Sequence, residues 1–173
     1  MKLLVSKIDI AKFVQISNKR NNNIVEQYIR DAQFIDLQNL FCEQYFADIL
    51  QNPDEFKELI KGCTYEYDGI TYINQGLEVV IAHFFYARYK KLGDEVDTPF
   101  GNVTKKDNNS YNTNENKKQT MYTFYRQNAV TYWDTSVLKF LQRMNYKNYN
   151  DICKYESSRK GMNGFKINVI GRR

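Results

Sequence analysis

The sequence has too few residues of several kinds for the common catalytic and metal sites. Its 173 residues include one histidine, His83, and two prolines. A single histidine excludes sites built on a histidine pair and leaves little basis for a Ser–His or Cys–His nucleophile. No glycine-rich phosphate loop is present, since Gly161, Gly164 and Gly171 lack the required spacing. No acidic pair suggests acid–base catalysis, so we expect neither an enzyme nor a bound cofactor or metal.

Cysteine is also scarce and has no motif spacing. Cys42, Cys63 and Cys153 are far apart and form no CxxC pair. That pattern indicates neither a zinc site nor a disulfide framework, and it predicts free thiols in a reducing compartment. The apolar run at the amino terminus ends at Lys7 and Asp9, too soon for a secretory signal. No run is long enough to span a bilayer, so we expect a protein made in the cytoplasm without a membrane partner.

Apolar and aromatic residues are plentiful by contrast. Hydrophobic residues make up 42% of the chain and aromatics 15%, which is enough for one folded core. The net charge of +5 permits contact with nucleic acid without requiring it. The paired bases Lys105-Lys106, Lys117-Lys118 and Arg172-Arg173 keep open the alternative of a small basic nucleic-acid-binding or regulatory domain. No zinc-finger or RNA-binding aromatic motif supports sequence-specific recognition.

Hydrophobic periodicity predicts a mainly helical bundle of four to five helices with a small β-hairpin, an extended loop and a C-terminal extension. The first helix is expected to begin at Asn23, with Glu26 completing a capping box. Further helical patterns follow Asp36, surround 56–60 and cover 74–92 and 115–144. Asp68-Gly69 lies between β-branched and aromatic residues and predicts a hairpin near 64–73. The apolar face over 74–92 is wide, which indicates a central helix packed on more than one side.

Two segments are suited to contacts with other molecules. A polar excursion from Gly93 to about Asn116 is long for a compact domain, and the pattern over 115–144 is longer than one core requires. A short apolar strand is expected near the carboxyl terminus, with no partner in its own chain, so a neighbour's sheet edge could accept it. We therefore predict a domain over 1–145 and a partner-docking extension over 146–173. The candidate interface residues are Asp97, Thr98, Pro99, Phe100, Gly101, Phe165, Ile167, Val169 and Ile170.

Several short motifs lie in order along residues 5–145. They are Tyr28-Ile29-Arg30-Asp31-Ala32-Gln33 with Leu37 and Leu40, then Tyr67-Asp68-Gly69-Ile70-Thr71-Tyr72, then Gly76-Leu77, Ala82 and Tyr86-Ala87-Arg88, and last Asp97-Thr98-Pro99-Phe100-Gly101. In their order and spacing these motifs resemble the head–tail connector (adaptor or head-completion) proteins of tailed bacteriophages, especially the neck-ring proteins of crAss-like phages.

The resemblance implies a structural virion protein located in the neck, at the head–tail interface. It implies a homo-oligomeric ring that binds the portal and adjacent neck or tail proteins. Genomic DNA would pass through the lumen of that ring without sequence-specific binding.

Overall fold

The computed structural model describes residues 3–17, 21–92, 95–98, 101–104 and 115–159, with side chains omitted for 95–98, 101–104 and 155–159. The α-helices are α1 (Lys7–Ile10), α2 (Asn22–Asp31), α3 (Glu43–Gln51), α4 (Lys57–Lys61), α5 (Leu77–Leu92), α6 (Glu115–Tyr132), α7 (Leu138–Met144) and α8 (Tyr149–Arg159). The strands are β1 (Cys63–Tyr67), β2 (Ile70–Asn74), β3 (Glu95–Thr98) and β4 (Gly101–Thr104). The prediction of a mainly helical fold with a small β-hairpin is confirmed.

Helix α5 lies at the centre of the core. Buried side chains occur on all its sides, including Leu77, Ile81 and Phe85. Neighbouring helices α1, α2, α4 and α6 all pack against it. The wide apolar face predicted for 74–92 is therefore confirmed as a central helix.

Two π-helical turns change which face of the long helices the following side chains occupy. Ala32–Leu37 continues α2, and Trp133–Val137 joins α6 to α7. A π-turn holds more residues than an α-turn, so the side chains after it rotate to another face. Ile35 is exposed, whereas Asp36 is buried. The helix expected after Asp36 begins only at Glu43, so its predicted start is wrong.

The cap of α2 also differs from the prediction. Asn21, and not Asn23, is the capping residue, and its side chain accepts a hydrogen bond of 2.9 Å from the Asn23 amide. The asparagine run offers several equivalent caps, so sequence alone did not select among them.

The predicted extended loop at 93–116 contains a second hairpin. β3 pairs antiparallel with β4, Asp97 opposite Asn102 and Thr98 opposite Gly101. The β-branched residues Val96, Thr98, Val103 and Thr104 favour strands, which the polar composition concealed. One hairpin therefore precedes α5 and the other follows it.

The expectation of three free thiols is wrong. Cys42 and Cys153 form a disulfide, with Cα atoms 5.5 Å apart, and Cys63 is free and half-buried. Residue spacing could not reveal a pair separated by 111 positions, because only the packing of α8 against α3 brings the two together. The disulfide attaches α8 to the helical body.

Candidate subunit interface

The β1–β2 hairpin closes through the predicted two-residue turn. Tyr67 pairs with Ile70, so Asp68 and Gly69 form the turn, with φ values of 52° and 72°. Positive φ at both central residues produces the type I′ turn, whose twist matches that of the strands. The Asp-Gly prediction is confirmed.

One face of the hairpin is fixed to the helical body by aromatic contacts. Tyr65 stacks on Tyr72 at 5.6 Å and meets the Phe140 ring edge-on at 5.1 Å. The Arg143 guanidinium lies 4.0 Å from the Tyr72 ring centroid and 5.5 Å from that of Tyr67. These contacts join the hairpin to α7, because a guanidinium over an aromatic face is attracted to its π electrons.

The base of the hairpin is fixed by close backbone packing. The Asn74 side-chain nitrogen Nδ2 donates to the Glu58 carbonyl at 2.9 Å, and the Asn74 side-chain oxygen Oδ1 accepts from the Gly76 backbone amide at 3.1 Å. Gly62 and Gly76 both have positive φ, and a Cβ on Gly76 would lie 2.5 Å from the Gly62 nitrogen. A side chain has no room there, so the hairpin leaves the helical body at a defined angle.

Apolar side chains remain exposed on this anchored hairpin. Ile73 is 65% exposed, Ile70 is 55% exposed, and Tyr67 is partly exposed. We call Tyr67, Ile70 and Ile73 the hairpin surface. Alternation along β2 places Ile73 on the face opposite Tyr67 and Ile70, so the hairpin surface spans both faces of the hairpin. Scattered exposed apolar residues are ordinary, but three on one anchored hairpin are suited to a partner.

Helices α5 and α6 run antiparallel, which defines the opposite end of the molecule. Along α5, Lys91 meets Tyr122, Tyr86 meets Tyr125, and His83 meets Tyr132. Partner numbers rise along α6 as they fall along α5, so Leu92 lies beside about residue 121. The first six residues of α6 therefore extend past the end of α5 by about 9 Å.

Near this overhang, α6 carries an exposed aromatic residue. Phe124 is 58% exposed, and a depression of about 400 Å³ is lined by Gln119, Thr120, Thr123 and Phe124. We call these four residues the overhang surface. The hairpin and overhang surfaces lie toward opposite ends of α5 and differ in composition.

A buried ion cluster holds α6 in this position. The Asp36 side chain is 2% exposed and accepts from Arg88 Nε at 2.9 Å and from an Arg126 terminal nitrogen at 2.7 Å. Burial opposes the charge of Arg126, but Asp36 and Tyr122 overcome it and raise the Arg126 pKa. A carboxylate with two guanidinium partners joins the segment after α2 to both long helices.

The titratable side chains of the described residues lie apart or in structural contacts. Their His, Cys, Asp and Glu side chains form no group that could hold a metal ion. His83 stacks on Tyr132 at 5.1 Å, burial lowers its pKa, and its Nδ1 has no hydrogen-bond partner among the described residues. None of the described helices has the combined length and hydropathy needed to cross a bilayer.

The predicted interface residues fall into two groups. Asp97 and Thr98 lie in β3 and Gly101 lies in β4, within the second hairpin. Pro99, Phe100, Phe165, Ile167, Val169 and Ile170 lie outside the described residues. Sequence reasoning did not select Ile70, Ile73 or Phe124 as interface residues. Alternation around Asp-Gly puts Ile70 and Ile73 on opposite faces of β2, so it could have indicated only one of them, and the exposure of Phe124 depends on helix packing.

These features define a small helical domain with a hairpin at each end of its central helix. The chain belongs to DUF6712, a family of unknown function whose model matches residues 37–159. The match includes both hairpins and the helices from α3 to α8. No curated protein and no solved structure matches the chain.

Proposed function

We propose that this chain is a head–tail connector subunit of a tailed bacteriophage, a structural virion protein and not an enzyme. Identical subunits form a ring in the neck, between the portal and the tail, and DNA passes through its lumen. The partners are further copies of the chain, the portal protein and adjacent neck or tail proteins. The resemblance over residues 5–145 is the source of this proposal.

The observation that carries the proposal is the pair of unlike surfaces toward opposite ends of α5. Head-to-tail contact between identical subunits requires two different complementary surfaces, and it closes into a ring when the rotation per subunit closes. The hairpin surface and the overhang surface differ in composition, which supports a contact of this kind. Both are fixed to the core, by Arg143 and the glycine contacts at one end and by the Asp36 cluster at the other.

The proposal is tested by assembly on the portal. Purified chain is mixed with the portal protein of the same phage, and rings are counted by negative-stain electron microscopy. Ile73→Asp places a charge on the hairpin surface and should reduce the number of complete rings at least about tenfold, because burying an unpaired charge is costly.

The matched control is Ile8→Asp. Ile8 is 76% exposed on α1, outside both named surfaces, so this variant should assemble like the wild-type chain. Normal rings with Ile73→Asp, or no binding of wild-type chain to the portal, would contradict the proposal.

A small basic nucleic-acid-binding domain is the second candidate. Lys90 and Lys91 end α5, and Lys117 is exposed on the overhanging part of α6, so three cations lie toward one end of the molecule. This candidate predicts tight binding of free DNA by the isolated subunit, with affinity falling steeply as salt rises. The connector proposal predicts weak binding of free DNA by single subunits.

A further inference from the structure

The outer edge of β1 has backbone groups available for a third strand. The turn hydrogen bond joins Tyr67 to Ile70, so hydrogen-bonded and non-hydrogen-bonded pairs alternate from there along the ladder. Thr64 and Glu66 belong to the non-hydrogen-bonded pairs, and their N–H and C=O groups point away from β2. Both residues are exposed, and among the described residues β1 pairs with β2 alone.

The outer edge of β2 is less accessible. The Ile73 carbonyl accepts from the Ser136 hydroxyl at 3.4 Å, and the adjoining Gln75 amide donates to the same hydroxyl at 2.8 Å. Ser136 lies in the π-turn of the long helix, so part of this edge faces the helical body. An added strand therefore has an open path along β1.

The sequence after α8 contains a segment suited to that edge. Phe165, Ile167 and Val169 alternate with Lys166 and Asn168, which is the period of a half-buried strand. Placed with its apolar residues on the side of Tyr65 and Tyr67, the segment would cover part of the exposed Tyr67 ring. Lys166 would then lie on the side of Glu66.

Charge also favours this pairing. Glu66 and Asp68 are exposed acids on the hairpin, while Lys166, Arg172 and Arg173 make the segment basic. Opposite charges across strands stabilise a sheet and select a register.

The direction of α8 indicates that the acceptor is a second copy of the chain. Tyr146 meets Phe56 at 6.2 Å, Tyr149 meets Tyr45 at 5.0 Å, and Cys153 is bonded to Cys42. Helix α8 therefore runs along α3 away from α4 and β1. It is about 16 Å long, and residues 160–164 span at most about 17 Å. That linker can do little more than retrace α8, so β1 of another copy is the better-placed acceptor.

We propose that residues 165–170 of one copy add as a third strand to the β1 edge of the next copy. This inference rests on the ring assembly of the proposed function and specifies which segments join neighbouring subunits. Main-chain hydrogen bonds supply affinity, and alternate side chains supply register, as in other strand-addition complexes. Each copy both donates a segment and offers an edge, so the contact repeats around a ring.

The experiment uses a matched pair of proline variants in the full chain. Thr64→Pro removes an N–H that points outward from β1, whereas Thr71→Pro removes the equivalent N–H on β2. Proline is tolerated at outward-facing edge positions, so both hairpins should form, which circular dichroism checks. By sedimentation equilibrium, Thr64→Pro should weaken self-association at least about tenfold and Thr71→Pro should not.

A mixing experiment tests whether the tail of one chain binds the β1 edge of another, and self-association of the wild-type chain shows that this exchange prevails over strand addition within one copy. Thr64→Pro retains the tail, and a chain ending at Arg159 retains the edge without losing any described contact. Each alone should be monomeric, and the mixture should form a one-to-one heterodimer.

Absence of that heterodimer, or equal association of both proline variants, would overturn the inference while leaving ring assembly through other surfaces possible. If the heterodimer forms but the chain is absent from virions, the strand exchange stands and the connector function is rejected.

Discussion

At the scale of single residues, Asp36 combines deep burial with full charge compensation. Its carboxylate contacts Arg88 and Arg126, and its side chain is almost inaccessible to solvent. Removing one member of a buried ion cluster lowers the free energy of unfolding by more than the intact cluster adds to it, because uncompensated charge is left behind.

Asp36→Ala should therefore lower the free energy of unfolding by about 3 kcal/mol. Asp54→Ala is the control, because Asp54 and Lys57 form an exposed pair at 3.5 Å, whose loss should change that energy by less than about 1 kcal/mol. Urea unfolding measures both variants. Equal effects of the two substitutions would contradict a stabilising role for the cluster.

Alanine substitutions at two glycines separate the effect of a strained backbone from that of steric overlap with neighbouring atoms. Gly76 has a φ of +83°, and a Cβ there would lie 2.5 Å from the Gly62 nitrogen and 2.6 Å from the Ile60 carbonyl oxygen. Gly69 has a φ of +72°, and a Cβ there would meet no atom within 4 Å. Gly69→Ala should lower the free energy of unfolding by about 1 kcal/mol, because alanine is strained in the left-handed conformation. Gly76→Ala should lower it clearly more, because the methyl group must also displace backbone atoms. Thermal unfolding at one pH compares them, and similar losses would be evidence against close packing at the hairpin base.

His83 should make the stability of the chain depend on pH. Burial lowers the His83 pKa, so below about pH 6.5 the unfolded chain binds a proton that the folded chain resists. The contribution of neutral His83 to the free energy of unfolding is fully present above that pH and is lost as pH falls below it. Burial raises the pKa of Glu78, which acts in the opposite direction, so the comparison must isolate His83.

His83→Phe keeps the ring stacked on Tyr132 without the titration. Relative to this variant, the wild-type chain should lose unfolding free energy between about pH 7 and pH 5. If chemical denaturation shows the same dependence of unfolding free energy on pH for both proteins, His83 does not titrate in this way.

At the scale of elements, the features determined by local chemistry were predictable. Asp68-Gly69 predicted the first hairpin, and the wide apolar face of 74–92 predicted the central helix. The features that depend on distant contacts were missed. The π-turn that places Asp36 inside and Ile35 outside, the Cys42–Cys153 pairing and the exposure of Phe124 all arise from packing between remote segments.

The disulfide determines how firmly α8 is attached. Alkylation of the unfolded, unreduced protein should modify one cysteine, Cys63, and alkylation after reduction should modify all three. Cys153→Ser should lower the free energy of unfolding under oxidising conditions by about 4 kcal/mol, as expected for a cross-link that closes a long loop. Cys63→Ser serves as the control and should have little effect. Three reactive thiols without reduction would contradict the pairing.

At the scale of the whole molecule, the two hairpins and the two named surfaces are separated along α5. Its 16 residues place about 24 Å between the segment that enters the helix and the segment that leaves it. A subunit with unlike surfaces at its ends suits head-to-tail repetition better than a symmetric dimer, in which both partners use the same surface. The strand addition proposed above would give a further directional contact of the same kind.

The most direct test of the connector proposal is the copy number of this chain relative to the portal protein in purified virions. Quantitative mass spectrometry with isotope-labelled peptides from both proteins gives that ratio. The proposal predicts a low, fixed number of copies close to that of the portal, as one ring of the neck requires. Absence of the chain from virions that contain portal would reject the connector function.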